Sequence, residues 1–280
     1  MGGHIARRRA FAYARAFMHQ DQDALDEDTV SFGFEDVSRD EKSRRVRDVF
    51  ASVAGQYDLM NDLMSAGVHR IWKASMIDWL NPQPGERLID VAGGTGDVAR
   101  AFQRRAGEVA RRRQTGPQTG AETLTIVSDI NEAMLAAGVR PDDRNMPRIV
   151  CDAASLPFAD GAADALTISF GIRNVVEIDR ALREFRRVLR PGGRFACLEF
   201  SSPAQSVLQS IYDRYSFAVI PWLGELVTGD RASYQYLVES IRRFPDQQTF
   251  ADRVRAAGFS QVSYRNYSGG IACLHTGWAV

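Results

Sequence analysis

Three glycines, Gly93, Gly94 and Gly96, sit in the run DVAGGTGDVARAF at residues 90–102, directly after the apolar stretch RLID. Glycine there lets the backbone approach a ligand closely and turn sharply into a helix. The N-terminus of that helix offers free N–H groups and positive potential. Gly94-x-Gly96-x-x-Ala99 fits the dinucleotide-binding fingerprint, and a tight turn without a ligand is the plain alternative. The acidic residues around it discriminate. Asp129 ends the next apolar run, TLTIVSDI, where a carboxylate can accept both hydroxyls of a ribose. It follows Gly96 by 33 positions, more than the usual ~20, and the polar stretch between them accounts for the excess.

Asp90 lies three residues before the first loop glycine, where it suits a cationic amino acid and would repel a pyrophosphate. In CDAASLPF, Asp152 is placed to accept from an adenine amino group, with Leu156 and Phe158 flanking the ring. A surface turn is the other reading of Asp152. Together these residues favour S-adenosylmethionine (SAM) over a nicotinamide dinucleotide. A lone sulfonium needs carboxylates, backbone amides and an apolar wall, not a phosphate cradle.

The elements that must position these residues alternate along the chain. RLIDVAG, TLTIVSDI, RIVCDA, DALTISFG and GRFACLEF read as buried strands, and EIDRALREFRRVLR before PGG is the clearest helical pattern. Strands alternating with helices predict a parallel sheet covered on both faces. QVSYRNYSGG and IACLHTGWAV lie close together around Gly269 and Gly270 and predict a C-terminal antiparallel hairpin. Residues 107–123 read as a surface loop. Residues 43–80 read as a helical cover that includes YDLMNDLMSAGVHRIW, a run whose polar groups interrupt any clean apolar face. Residues 1–42 read as a flexible extension, basic and then acidic, ahead of one domain over 43–280.

Composition narrows the class. The 280 residues carry zero formal net charge, which argues against a nucleic-acid partner bound through a basic surface. Lys42 and Lys73 are the only lysines, so nearly all positive charge is arginine. Cys151, Cys197 and Cys273 lie far apart, which gives neither a disulfide framework nor a cysteine zinc site. No apolar run is long enough to span a bilayer. The opening MGGHIARRRAFAYARAFMHQ is acid-free until Asp21 and reads as a bacterial extension or, second, a mitochondrial transit peptide.

Two stretches carry a family resemblance: Tyr57-Asp58-x-Met60-Asn61 followed by Ser65, His69 and Trp72, and RVLRPGGRFACLEFS at 187–201. DVAGGTGD, SDINEAML, LPF, TISFGIRNV and GGIACLHTGW follow in order. Over roughly residues 42–280 the sequence resembles the ubiquinone/menaquinone biosynthesis C-methyltransferases, the UbiE family. The resemblance implies a Rossmann-like class I methyltransferase fold: a seven-stranded, mostly parallel α/β sheet ending in an antiparallel hairpin. It implies SAM-dependent methylation of a ring carbon of a polyprenylated quinol, with no metal. It implies SAM contacts at Thr95, Asp129, Asp152, Ala153 and Ser169, beside Asp90 and the three loop glycines. Relatives often carry asparagine where this chain has Asp152, and either side chain accepts from an adenine amino group.

Methyl transfer from sulfonium to carbon is an in-line displacement that depends on positioning. The receiving carbon must be electron-rich, so the acceptor must be the hydroquinone with a phenolic hydroxyl deprotonated or strongly hydrogen-bonded. FGIRN follows the fourth strand at the ligand-binding edge, which nominates Arg173 to orient and stabilise the phenolate and Asn174 to bond a ring oxygen. A structural ion pair is the alternative for Arg173, whose guanidinium is a poor base. Tyr57 and His69 are candidate proton partners. Glu199, which closes the fifth strand at the same edge, reads as a structural hydrogen-bonding residue or, second, a catalytic one, and His275 as a core residue. The mixed apolar stretch YDRYSFAVIPWLGELV at 212–227 reads as a core helix or as a lid for the prenyl tail. The expected partners are the quinol, the bilayer surface by peripheral contact, a quinone-biosynthesis complex and a second copy of the chain. The expected compartment is the cytoplasm at the inner membrane, or alternatively the matrix face of the mitochondrial inner membrane. A methyltransferase for another aromatic or lipophilic acceptor, and a member that binds SAM without catalysis, are the competing functions.

Overall fold

The computed structural model describes residues 29–53, 62, 65, 67–113, 122–143, 145–201, 225 and 231–280. Its frame is a seven-stranded sheet. β3 (Arg87–Val91), β4 (Leu124–Asp129), β5 (Arg148–Val150), β6 (Ala163–Ser169), β7 (Leu189–Phe200), β8 (Phe259–Tyr267) and β9 (Ala272–Ala279) take the order β5-β4-β3-β6-β7-β9-β8. β5, β4, β3, β6 and β7 pair in parallel, while β9 runs antiparallel to both β7 and β8. The chain order reverses direction across the sheet between β3 and β6. That switch point opens a crevice at the carboxyl ends of the strands.

Alternate residues of each central strand face opposite cores. Leu88, Ala165, Ala196 and Leu198 pack with α2 (His69–Leu80), α3 (Asp97–Arg112) and α6 (Arg231–Arg243) through Trp72, Met76, Phe102, Leu237 and Ile241. Ile89, Leu166, Ile168 and Cys197 pack with α5 (Ile178–Val188) and α7 (Gln247–Ala256) through Leu182, Phe185, Phe250 and Val254. Burial on both faces explains why these strands are continuous apolar runs instead of alternating ones.

The N-terminal boundary moves forward. Residues 29–38, read above as flexible, form a hairpin of β1 (Thr29–Phe32) and β2 (Glu35–Ser38) turned at Gly33, whose φ is +60°. α1 (Arg39–Val53) starts four residues earlier than Ser43, because the Ser38 hydroxyl accepts from the Glu41 N–H at 3.2 Å and caps it. Ser38 and Glu41 have the spacing of a capping box. The loop placed at 107–123 is also shorter, since α3 runs through Arg112. The C-terminal hairpin is as expected, with the final strand β9 inserted between β7 and β8.

Candidate active site

The crevice at the switch point is a cleft of about 780 Å³ including its open mouth. One wall comes from the ends of β3, β4 and β5: Val91, Ala92, Asp129, Ile130 and Cys151–Ala153, with Met134 from α4 (Glu132–Ala137). The other follows β6: Phe170, Gly171 and Asn174–Val176. α1 lies across the top with Ser43, Val46 and Phe50. It is tied on both sides, by Asn131 Nδ2 donating to the Arg47 carbonyl at 3.0 Å and by the Arg39–Glu177 pair at 2.9 Å. Of the helical cover expected over 43–80, α1 lines the cleft and α2 packs into the core, while residues 54–61, which hold the start of the YDLMND run, lie outside the described residues. Ala92 and Phe170 hold φ of +48° and +57°, so the two walls turn on residues in a conformation that side chains seldom adopt.

On the β3–β4 side, both oxygens of Asp129 accept backbone amides, Oδ2 from Gly94 at 3.1 Å and Oδ1 from Asn131 at 2.9 Å. Burial nonetheless pushes its carboxyl up to about 6. Gly93 is required by crowding: a Cβ there would lie 2.8 Å from Asp90 Oδ2 and 2.9 Å from Val127 Cγ1. Gly94 and Gly96 adopt φ of +49° and +81°. Two arginines from outside the loop hold its carbonyls. Arg100 donates to Thr95 O at 2.6 and 2.8 Å, and Arg148 to Gly94 O and Thr95 O at 3.3 Å each, with Asp143 as counter-charge at 2.9 Å from Arg148.

Asp152 and Ala153 line the cleft. Asp152 Oδ1 accepts from the Ala154 N–H at 2.8 Å. Asp90 lies beneath the glycine loop and off the cleft wall. It is fully buried, with Oδ1 taking the Thr167 hydroxyl at 2.7 Å and Oδ2 without a partner among the described residues. Burial pushes it up to about 7, with the Thr167 bond opposing; Asp97 adds to the rise and Lys73 offsets it. Ser169 is also below the wall, with Oγ 3.7 Å from Met76 Sδ. Leu156 and Phe158 do not flank the cleft. Both belong to the core cluster with Leu182 and Phe185 of α5. Ile130, Met134 and Val91 supply the apolar wall instead.

On the β6 side, Arg173 is behind the wall. Its guanidinium pairs with Glu199 at 2.6 Å, with the two side chains 2% and 1% exposed. It also donates to Phe170 O at 2.7 Å and Ser240 Oγ at 3.2 Å, and lies over the Phe200 ring. A guanidinium this deep requires a counter-charge, so Arg173 takes the ion-pair role and braces the turn that carries Asn174. Burial raises the Glu199 carboxyl, with Arg173 pulling against it. Asn174 reaches the cleft and accepts the Tyr236 hydroxyl at 2.9 Å. His69 is off the cleft and buried, 3.0 Å from Ser65 Oγ and 3.5 Å from Asp62; burial lowers it toward the neutral imidazole. His275 is a core residue, donating from Nε2 to Gln247 O at 2.9 Å and pushed down to about 4 by burial. Tyr57 and, Glu225 apart, the stretch 212–227 lie outside the described residues.

Sequence reasoning passed over Tyr236, Arg100 and Arg148. Arg100 carried a faint signal, four residues into the helix that the glycine loop opens. Tyr236 and Arg148 carried none, since only the fold brings them in.

Residues 35–279 match the model of the ubiE/COQ5 methyltransferase family. The chain belongs to this family. It is 56% identical over 253 residues to the ubiquinone/menaquinone biosynthesis C-methyltransferase UbiE of Caulobacter vibrioides, covering 90% of this chain and 98% of that one. The protein of the same name from Dinoroseobacter shibae is 52% identical over 255 residues, covering 89% and 96%. Among solved structures, a SAM-dependent methyltransferase from Aquifex aeolicus shares the fold with a TM-score of 0.51 at 13% identity, covering 74% of this chain and 89% of that one. Membership gives the cleft its donor. The two acidic side chains on the wall, Asp129 and Asp152, fit a cationic, adenine-bearing ligand and not a diphosphate.

Proposed function

We propose that the cleft holds SAM along its β3–β4 wall and a reduced polyprenylated quinol along its β6 wall. The chain is a SAM-dependent C-methyltransferase of ubiquinone/menaquinone biosynthesis. The observation that carries the two-ligand reading is the asymmetry of one cleft: carboxylates on one wall, and a single carboxamide among Phe170, Val175, Val176, Val46 and Phe50 on the other.

When bound, SAM supplies an electrophilic methyl group. Asp129 receives the ribose hydroxyls and Asp152 the adenine amino group. The glycine loop lets the backbone come close to the ligand while Arg100 and Arg148 hold its carbonyls. Asn174 bonds a ring oxygen of the quinol, Arg173 and Glu199 keep that turn rigid, and α1 excludes water. The apolar residues of α1 and the β6 wall suit the first isoprenoid unit. Tyr57 stands as the proton partner, since His69 is buried off the cleft against Ser65 and Asp62. Because the acceptor's tail belongs in a bilayer, the chain works at the membrane surface, on the cytoplasmic face of the inner membrane or the matrix face in a mitochondrion, either as a dimer or within a quinone-biosynthesis complex.

Purified protein given labelled SAM and, in parallel, reduced demethyl-benzoquinol and demethyl-naphthoquinol tests this reading. Label on a ring carbon of either quinol is expected and chooses the acceptor. No label on either, with SAM binding intact, overturns it.

A further inference from the structure

We infer that Tyr236 is a positioning residue, its hydroxyl fixing the Asn174 carboxamide so that Nδ2 is a spare N–H donor for the acceptor's ring oxygen. The inference rests on the quinol reading above and adds the direction of that hydrogen bond.

Asn174 closes the short turn Ile172–Asn174 after β6, lines the cleft and is 9% exposed. Its Oδ1 accepts from Tyr236 Oη at 2.9 Å, while Nδ2 is buried with no partner among the described residues. A carboxamide can be turned over, so the two orientations must be compared. As placed, the tyrosine proton and the amide oxygen are both used, and only the two N–H bonds of Nδ2 are left over. Turned over, Nδ2 would donate to the tyrosine oxygen, leaving the phenolic proton and the amide oxygen both without partners. Buried polar groups are costly when unmet, so the tyrosine selects the first orientation. The leftover donor then belongs to whatever occupies the acceptor wall.

The surroundings hold Tyr236 to this task. Its ring stacks on Phe32 of β1 with centroids 4.0 Å apart and planes 15° apart, and Arg45 lies over the Phe32 ring, 5.3 Å from its centroid. Burial, reinforced by Glu199 and opposed by Arg173, pushes the phenol well above its ordinary range, so the hydroxyl remains a donor. On the Asn174 side, the backbone N–H is tied to Gly171 O at 3.1 Å and the preceding residue is clamped by Glu199. Neither end of the Tyr236–Asn174 bond can swing away. The chemistry needs this polarity: a ring carbon becomes nucleophilic as the neighbouring hydroxyl loses its proton, and an N–H donor favours the oxygen anion where an amide oxygen would repel it.

The test uses the full chain and the labelled-SAM quinol assay. Tyr236→Phe keeps the stacked ring and removes the hydroxyl; kcat is expected to fall about tenfold, the size of one neutral hydrogen bond, with KM for SAM unchanged. Asn174→Ala is expected to lose about 100-fold in kcat, as loss of an oxyanion donor does. Tyr236→Phe added to Asn174→Ala should then cost nothing further, because the tyrosine acts through the carboxamide. The acid limb of the kcat–pH profile should move up by about one unit in Tyr236→Phe, equivalent to the tenfold loss. Asn174→Asp, which keeps the bond from Tyr236 but replaces the N–H with an anion, should be inactive while still binding SAM. Full activity in Asn174→Asp, a Tyr236→Phe kcat within twofold of the parent, or the same tenfold loss in the Asn174→Ala background would each overturn the inference. An unmodified chain that binds SAM and labels neither quinol would instead overturn the acceptor reading, and this inference with it.

Discussion

On the β3–β4 side of the cleft, one short run from Asp90 to Asp97 supplies a carboxylate, the glycine loop and a helix N-terminus, and Asp129 closes it with two amide bonds. On the β6 side, Asn174, Glu199, Tyr236 and Phe32 come from four separate elements, joined by an ion pair, one hydroxyl bond and a ring stack. The donor wall is made mostly of backbone, whose geometry glycine and a strand end dictate locally. The acceptor wall is made of side chains that have no relation until the chain is folded. Methyl transfer from a common donor to varied acceptors suits that division: the first wall can stay constant while the second is rebuilt.

The sharpest way to break the contrast is to remove the charge that the acceptor wall depends on. Glu199→Ala leaves Arg173 buried and alone, so unfolding in urea should show a loss of about 3–5 kcal/mol. A loss under 1 kcal/mol would mean that the pair does not brace the turn. The donor wall should respond to bulk instead. Gly93→Ala drives a Cβ against Asp90 and Val127 and should cost about 1–3 kcal/mol of stability, with SAM binding weakened in proportion.

The two walls should also differ in pH response. Asp90 and Asp129, raised to about 7 and about 6, bind protons more tightly when folded than unfolded. Their contribution to stability is therefore complete below the ordinary carboxyl range, about 4, and is lost as pH rises through 6 to 7. A cationic ligand on the wall beside Asp129 favours its ionised form, so SAM affinity should rise by about tenfold between pH 5.5 and 8, with a proton released on binding. Calorimetry in buffers of different ionisation heat reads both, and a flat affinity would contradict the placement of the ligand. The smallest effect belongs to the loop brace. Arg148→Lys keeps the charge but loses the forked donors, so KM for SAM should rise about threefold with kcat intact, as one weakened hydrogen bond allows.

Legibility in the sequence followed the same line. The parallel strands, the glycine turn and Asp129 could be read because each is a local pattern, apolar runs buried on both faces and a carboxylate at a strand end. The C-terminal hairpin was readable from the glycines at 269 and 270. What misled was range. Arg173 could be read for the phenolate or for an ion pair, because nothing adjacent in sequence decides between them and its partner Glu199 is 26 positions away. Leu156 and Phe158 looked like an adenine wall, because their distance from the cleft depends on how the chain leaves β5. The β1–β2 hairpin was hidden in a polar, mixed-charge stretch, and its Phe32 has a purpose only once α6 presents Tyr236 to it.

The most direct test of a cleft with separable walls is the dissociation constant for SAM, measured by calorimetry on the parent chain, Asp129→Ala and Asn174→Ala. The account predicts about 100-fold weaker binding for Asp129→Ala, the worth of two hydrogen bonds to a charged group, and a value within twofold of the parent for Asn174→Ala. Equal losses in both variants, or loss in Asn174→Ala alone, would contradict it.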